Sequence, residues 1–295
     1  MFLSLAKGIA LGAVLSYAAP LPLMMAGLAW GMRAALTAGV AATAAVAAVT
    51  GAFSALPFAV AALLPTLVVT NRALLWRNGQ DGSVHWYPPG LVLAWLTAAG
   101  LALMLCGTVL MAGSPEGVEG SVTKLLVTGL DMMAAELPAD QRAKVAEFWT
   151  PLFPAMVMGS WLIMVVVNAC GAQGLLARLG HARRPLPAYR ELWLPDWPAY
   201  ALAIMGLLAI VVGGDVGYVA ANAVAVLLIP FMFLGLAGIH RWAQGRPNAG
   251  LLLAATYGLL ILAFGWAAAA VAGLGLVRFW TMRFRRPDSG GGMEG

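Results

Sequence analysis

The chain has 295 residues, of which 62% are apolar and only 10% are charged, whereas soluble domains carry roughly 25% charged residues. Several stretches exceed the roughly 18 uncharged apolar residues that mark a transmembrane helix. These values exclude a soluble globular protein. We attribute the net charge of +5 to arginines in cytoplasmic loops rather than to a nucleic-acid surface.

Apolar segments follow one another along the chain and are separated by short charged loops. Their predicted bounds are 3–18, 22–32, 34–50, 52–72, 90–112, 151–177, 198–213, 217–240 and 250–277.

The stretch from Pro20 to Thr50 has two interpretations, because Arg33 lies in its middle. A single helix would be roughly 46 Å long, against a hydrocarbon core of roughly 30 Å, and would bury Arg33 at a cost of about 2.5–3.5 kcal/mol. A short helix that ends at Gly31, followed by a second helix, places Arg33 at a membrane face instead. Because this division puts every arginine-rich loop on one side, we predict that it is correct and that this side is cytoplasmic.

Residues 113–150 are predicted to form an amphipathic segment outside the cytoplasm. Apolar residues recur at helical spacing from Val118 to Met133, and Pro138 separates a second short helix from the first. The polar face of the first helix carries Asp131. Such a segment is either an interfacial helix with a solvated face or a lid over a pocket.

The uncharged run from Gly250 to Val277 allows two arrangements. One long helix would need a strong tilt and would place the last arginines outside. Two short helices hinged near Gly265, as a kinked or re-entrant hairpin, would return those arginines to the cytoplasmic side.

Asn168 is the strongest candidate for a function, because a polar side chain within a span is costly unless it has a role. Trp161 precedes it by seven residues and shares its helical face. An aromatic ring beside an amide suits a small heterocyclic or polar ligand, in a pocket that opens to the outside between spans 90–112 and 151–177. The segment carrying Asp131 would cover this pocket. The alternative is that Asn168 forms an interhelical hydrogen bond that only holds the bundle together.

Residues 1–180 combine an alanine-rich first helix, the stretches "PLPLMMAGLAWGMRAALTAGV" and "FAVAALLPTLVVTNRALLWR", and a last helix that ends in "GLLARLG". This part resembles the membrane core of S components, the substrate-binding subunits of energy-coupling-factor (ECF) vitamin transporters. The resemblance implies six membrane helices with both ends inside and a small-molecule ligand near the outer face. It also implies assembly with an ECF-type transmembrane coupling subunit and ATPases.

S components bind their coupling subunit through small residues of the first helix. Ala6 and Ala10 match the A-x-x-x-A spacing, with Gly8 nearby, so the resemblance implies a partner-binding role for these residues. Over nearly its whole length, including "ELWLPDWPAYAL" and "FLGLAGIHRWAQGRPNAGLLLA", the chain resembles the YybS-like bacterial integral membrane proteins, a domain-of-unknown-function family.

The sequence therefore predicts an all-α fold, a polytopic transmembrane helical bundle. Its expected parts are a six-helix S-component-like core over 1–180, a cytoplasmic basic loop over 181–197, C-terminal membrane helices over 198–286 and a disordered tail over 287–295. We expect a multi-pass protein of the bacterial inner membrane, in contact with the lipid bilayer, with both termini cytoplasmic.

Two functions remain open from the sequence. The favoured one is a substrate-binding or transport-related membrane subunit that resembles ECF S components. The alternative is a non-transporting membrane scaffold or assembly factor that recruits partners through its cytoplasmic basic loops. The sequence shows no catalytic motif and no metal-ligand spacing, so we expect no enzyme activity, cofactor, metal site or nucleic-acid partner.

Overall fold

The computed structural model describes residues 15–284, and nearly all of their regular structure is helical. The first helices are α1 (Pro20–Trp30), α2 (Met32–Thr50), α3 (Ala52–Phe58), a π-helical segment (Ala59–Leu63) and α4 (Leu64–Ala73). The hairpin strands β1 (Trp76–Asn78) and β2 (Val84–Trp86) follow. Next come α5 (Pro89–Met111), α6 (Gly117–Met133), α7 (Ala139–Trp149), a 3-10 turn (Thr150–Leu152) and α8 (Phe153–Arg178). The chain continues through a 3-10 turn (Tyr189–Glu191), α9 (Trp197–Val211), α10 (Gly214–Ala243), α11 (Ala249–Leu262) and α12 (Phe264–Phe284).

Six helical stretches of the described chain are long and apolar enough to cross a membrane: Met32–Thr50, Ala52–Ala73, Pro89–Met111, Ala139–Arg178, Gly214–Ala243 and Phe264–Phe284. Their outward faces carry large apolar side chains that water would not favour, such as Phe53, Leu110 and Phe264. The predicted all-α, multi-pass helical bundle is confirmed.

The predicted break at Gly31 is confirmed, and it separates α1 from α2. Gly31 has φ of 95°, a backbone conformation that side-chain-bearing residues rarely adopt. Gly51 has φ of 92° and ends α2 in the same way. Arg33 therefore lies in the first turn of α2 and is exposed, rather than in the middle of one long helix.

Helix α1 begins at Pro20, with prolines in its first turn, and a short helical stretch from Leu15 precedes it. Ala19, the N-cap of α1, already has helical dihedral angles. Two short-range backbone bonds, from Ala19 to Ser16 and from Leu21 to Ala18, continue the turn where prolines lack an N–H.

A β-hairpin occupies the loop between α4 and α5, which the sequence analysis treated only as a charged connection. Trp76 pairs with Trp86 across the two strands. In the turn, Asp81 accepts hydrogen bonds from the backbone N–H and the hydroxyl of Ser83, at 3.1 and 2.6 Å. The hydroxyl bond is the larger cause that lowers the pKa of the Asp81 carboxyl.

The described chain forms two compact units. Unit 1 contains residues 15–104 and 156–187, and unit 2 contains residues 105–155 and 188–284. Helices α6 and α7 belong to unit 2. Within unit 2, side chains of α10 bind the start of α6 and the turn that follows α7, which explains the grouping.

Unit 1 is held together by close helix contacts around small residues. A Cβ atom on Gly27 of α1 would lie 2.1 Å from the Thr70 hydroxyl of α4 and 3.1 Å from the Cβ of Ala35. A Cβ atom on Gly39 would meet the Leu63 side chain at 2.1 Å. Small residues at these points let helices approach closely, as is common in membrane bundles.

Unit 2 contains the long helix α10, which packs against α12 at two glycines. A Cβ atom on Gly235 would lie 2.0 Å from the Val271 carbonyl oxygen, and one on Gly275 would lie 1.8 Å from that of Phe231. The rings of Phe231 and Phe279 meet edge to face beside this contact, with centroids 5.7 Å apart. The predicted uncharged run near the C-terminus divides at Ala263, two residues before the expected hinge.

Candidate functional site

Trp161 lies in the interior of unit 1. Its side chain is 7% exposed, and a Cβ atom on Gly100 of α5 would lie 3.4 Å from its ring. Its indole N–H donates a hydrogen bond to the carbonyl oxygen of Ala61, at 3.2 Å. In a regular α-helix that carbonyl would accept from residue 65, but Pro65 has no N–H. The indole of Trp161 supplies a donor where the proline has none.

Asn168 lies two turns further along α8 and is 6% exposed. Its side-chain N–H₂ group donates to the carbonyl oxygens of Tyr17 and Met164, at 2.8 and 2.7 Å. The bond to Tyr17 ties α8 to the chain just before α1. This contact is of the kind expected if Asn168 holds the bundle together, while its predicted role in ligand binding stays a prediction.

Asp131, the residue predicted to lie over the pocket, belongs to unit 2. Its carboxylate forms an ion pair with Arg142, with Oδ1 and Nε 2.7 Å apart. Arg142 also donates to the backbone carbonyls of Ala135 and Leu137. The pair therefore fastens α6 to the start of α7, on either side of the break at Pro138. Trp161 and Asn168 thus share a unit and a helix, and Asp131 is not part of that unit.

The predicted partner-binding residues Ala6, Gly8 and Ala10 lie outside the described residues 15–284. Within that range, no three His, Cys, Asp or Glu side chains come together as a metal site requires.

Unit 1 also buries polar groups that the sequence analysis did not select. Gln173 of α8 is 4% exposed and donates to the Arg184 carbonyl oxygen, at 2.8 Å. Arg184 is 6% exposed, and its guanidinium donates at 2.8 Å to the carbonyl oxygen of Ala73, the last residue of α4. Carbonyls at a helix end have no partner within the helix, so Arg184 caps α4. Thr70, on the same helix, is 1% exposed, and its hydroxyl has no hydrogen-bond partner in the described chain.

In unit 2, prolines interrupt the backbone hydrogen bonds at the start of α8, as Pro65 does in α4. The Ala155 N–H and the Pro151 carbonyl would bond to each other in a regular helix, yet the side-chain amide of Asn222 bonds to both, at 2.9 and 3.0 Å. The Tyr218 hydroxyl donates at 2.7 Å to the carbonyl of Thr150, whose regular partner would be Pro154. Asn222 is 1% exposed. These two side chains of α10 restore the hydrogen bonds that the irregular start of α8 leaves open.

Most of the buried polar side chains described above bind backbone groups of neighbouring helices or loops, as is expected inside a helical membrane protein. Against known proteins, residues 3–277 match the family described as predicted membrane protein (DUF2232). The chain belongs to this family. Comparison with curated proteins and with solved structures gave no match. The family assignment and the six membrane-length helices together establish a multi-pass membrane protein.

Sequence reasoning selected Asn168 and Trp161 by their place within a span, and the same criterion would have found Gln173, five residues further along α8. Nothing local in the sequence shows that α8 begins beside Asn222. In the sequence, Arg184 is one of several arginines in the loop that follows α8. Its burial follows from the fold of the hairpin beside it, where Arg184 lies 5.6 Å from the ring centre of Trp86.

Proposed function

We propose that this DUF2232 protein is a substrate-binding, transport-related subunit of the bacterial inner membrane, resembling ECF S components and the YybS-like proteins, and that unit 1 is its binding module. Ionisable and amide groups within spans are costly and commonly mark ligand or ion pathways. Unit 1 buries two side-chain amides of α8, those of Asn168 and Gln173, and the hydroxyl of Thr70 on α4.

The observation that carries the proposal is the π-helical segment Ala59–Leu63, which has Pro57 before it and Pro65 after it. Single π-helical turns are rare, and they occur frequently at functional sites. Irregular backbone at membrane depth is tolerated where protein covers it or where it lines a cavity. Trp161 contacts this segment and lies on the same face of α8 as Asn168. A ligand bound beside α8 could therefore contact the indole of Trp161 and the amide of Asn168 together.

The proposed orientation puts Arg33, Arg77, Arg184 and Arg246 in the cytoplasm, with both termini, and puts residues 113–150 outside. The positive-inside rule supports this orientation. Within unit 2, Asp215 accepts a hydrogen bond from the Val118 N–H at 2.9 Å, so two segments proposed to lie outside contact each other.

An S-component role requires a coupling subunit and ATPases, because the sequence contains no phosphate-binding loop. We propose Ala6, Gly8 and Ala10 as the partner face. The double substitution Ala6→Leu with Ala10→Leu should abolish assembly with an ECF module and leave the protein folded, because bulkier side chains keep helices apart. Unchanged recovery of the complex would refute the partner face.

The binding role is tested by native mass spectrometry of the full chain, purified in mild detergent from its natural host. A retained small molecule should appear on the wild type and be lost from Trp161→Ala and Asn168→Leu. Trp95→Ala is the matched control, since Trp95 is an indole of the same unit that is 47% exposed. Equal retention by all variants would place the ligand elsewhere.

The alternative of a scaffold has its own support, because Arg178 at the end of α8 and Arg183 in the following loop are exposed and form no ion pair within residues 15–284. A scaffold would recruit partners through these residues. Absence of both a retained ligand and a co-purified ECF module, with loss of another partner on Arg178→Gln, would favour the scaffold over the transport role.

A further inference from the structure

A groove runs along unit 2 between α10, α11 and α12, with a volume of about 460 Å³. Small-molecule sites usually have about 300–1,000 Å³, so the groove is large enough for a ligand. Its walls are the glycines Gly235 and Gly238 and the apolar side chains of Ile239, Leu252 and Leu274. None of the residues of α11 is buried, although this helix is apolar on every side. Such a helix needs an apolar environment, and in this protein the lipid bilayer supplies it.

Arg278 of α12 lies in the same groove and is fixed there without an acidic partner. Its guanidinium donates to the Arg190 carbonyl oxygen at 2.7 Å and to that of Leu234 at 3.4 Å. A Cβ atom on Gly238 would lie 3.2 Å from one of its nitrogens, so the bare glycine leaves the space that the guanidinium occupies. An arginine has five N–H donors, and these two carbonyls leave donors that can bind an anion.

Further cations surround this arginine. Arg241 is exposed and lies one turn along α10 from Gly238, the position that contacts the Arg278 guanidinium. Arg246 stacks over the Trp242 ring, 3.8 Å from its centre, and Trp242 also lines the groove. Within residues 15–284, none of these three arginines has an acidic oxygen within 4.0 Å, whereas Arg283 on the same helix is paired with Asp196. The cluster therefore has an uncompensated positive charge next to an apolar surface.

We propose that this groove binds an anionic glycerophospholipid. The acyl chain lies on Ile239, Leu252 and Leu274, and the phosphate binds Arg278 and Arg241. Basic pockets between membrane helices on the cytoplasmic side bind anionic headgroups in this way, and tryptophan is favoured at the level of the headgroups. Arginine suits this role because its planar fork binds phosphate with two hydrogen bonds. The positive-inside rule accounts for exposed loop arginines, but it does not account for one that is half-buried in a groove.

The test uses the full chain, purified and delipidated in detergent, with native mass spectrometry to measure lipid binding. The probes are phosphatidylglycerol, phosphatidylcholine with the same acyl chains, and inorganic phosphate. The wild type should bind phosphatidylglycerol at least several-fold more tightly than phosphatidylcholine, and excess phosphate should not displace the lipid. Equal affinity for the two lipids, or full displacement by inorganic phosphate, would overturn the proposal.

Variants locate the site. Arg278→Gln should weaken phosphatidylglycerol binding about five-fold and phosphatidylcholine binding by less, because one basic group near an anionic surface contributes about that factor and the choline cation offsets the phosphate charge. Arg278→Lys should restore part of the affinity. Arg283→Gln is the matched control on the same helix and should have no effect. If Arg278→Gln fails to fold, Arg241→Gln makes the same test, since its side chain is exposed, and wild-type affinity in that variant would contradict the phosphate site.

Discussion

The contact between α10 and α12 depends on the absence of a side chain at Gly275, and Gly275→Ala should disrupt it. The added Cβ would lie 1.8 Å from the Phe231 carbonyl oxygen, 2.7 Å from its carbonyl carbon and 3.0 Å from the Gly235 nitrogen. All three atoms are backbone, so no side chain can rotate away. Nonbonded heavy atoms are most favourable at about 3.5–4.0 Å, so the helices must separate by about 1 Å or more.

Separation of this size removes much of the packing around the edge-to-face rings of Phe231 and Phe279. Overpacking in a well-packed interior costs about 1–3 kcal/mol, and we expect the free energy of unfolding of Gly275→Ala to fall within that range. A loss of about 1.4 kcal/mol corresponds to a tenfold change in the unfolding equilibrium. Because the interface contains two such glycines, Gly235→Ala should have a similar effect.

The measurement is equilibrium unfolding of the purified chain in mixed micelles, titrated with a denaturing detergent and followed by far-ultraviolet circular dichroism. Gly273→Ala is the matched control, because it lies on the same helix and its added Cβ would meet nothing within 4 Å. That control should keep or raise the stability, since alanine favours a helix over glycine by about 1 kcal/mol. If Gly275→Ala unfolds at the same detergent fraction as the wild type, the close backbone contact is not a determinant of stability.

Three other predictions follow from the structure. Asn222→Leu should lower the free energy of unfolding by about 1–3 kcal/mol for each buried backbone group left unpaired, as measured by detergent unfolding. Asn248→Leu is the control, because the Asn248 side chain makes no cap hydrogen bond to α11. Trp161→Phe keeps an aromatic ring but removes the indole donor, so its loss of stability should fall within the same range, and wild-type stability would show that the bond contributes nothing. Cysteines placed at Arg33 and Gly120 should label from opposite sides, since three membrane-length helices separate these positions, and labelling from the same side would refute the proposed orientation.

Features that depend on local conformation were predictable from the sequence. The breaks at Gly31 and Gly51 follow from residues that tolerate positive φ, and the amphipathic helices over 113–150 follow from apolar spacing. The membrane class follows from composition alone. The start of α1 at Pro20 also follows from local conformation, because the first helical turn can dispense with the N–H groups of Pro20 and Pro22.

Features that depend on partners distant in sequence were decided only by the tertiary structure. The sequence shows that Pro65 and Pro154 remove hydrogen-bond donors, but it does not show which side chains replace them. Trp161 reaches Ala61 and Asn222 reaches Ala155 across many intervening residues, and these pairs exist only once the helices have packed. The same holds for the division into two units and for Arg278 in its groove. Apolar spacing indicates which face of a helix is buried, but the helix that packs against that face depends on the whole chain. In a bundle of similar apolar helices, small residues and polar hydrogen bonds at the contacts select one helix pairing over another.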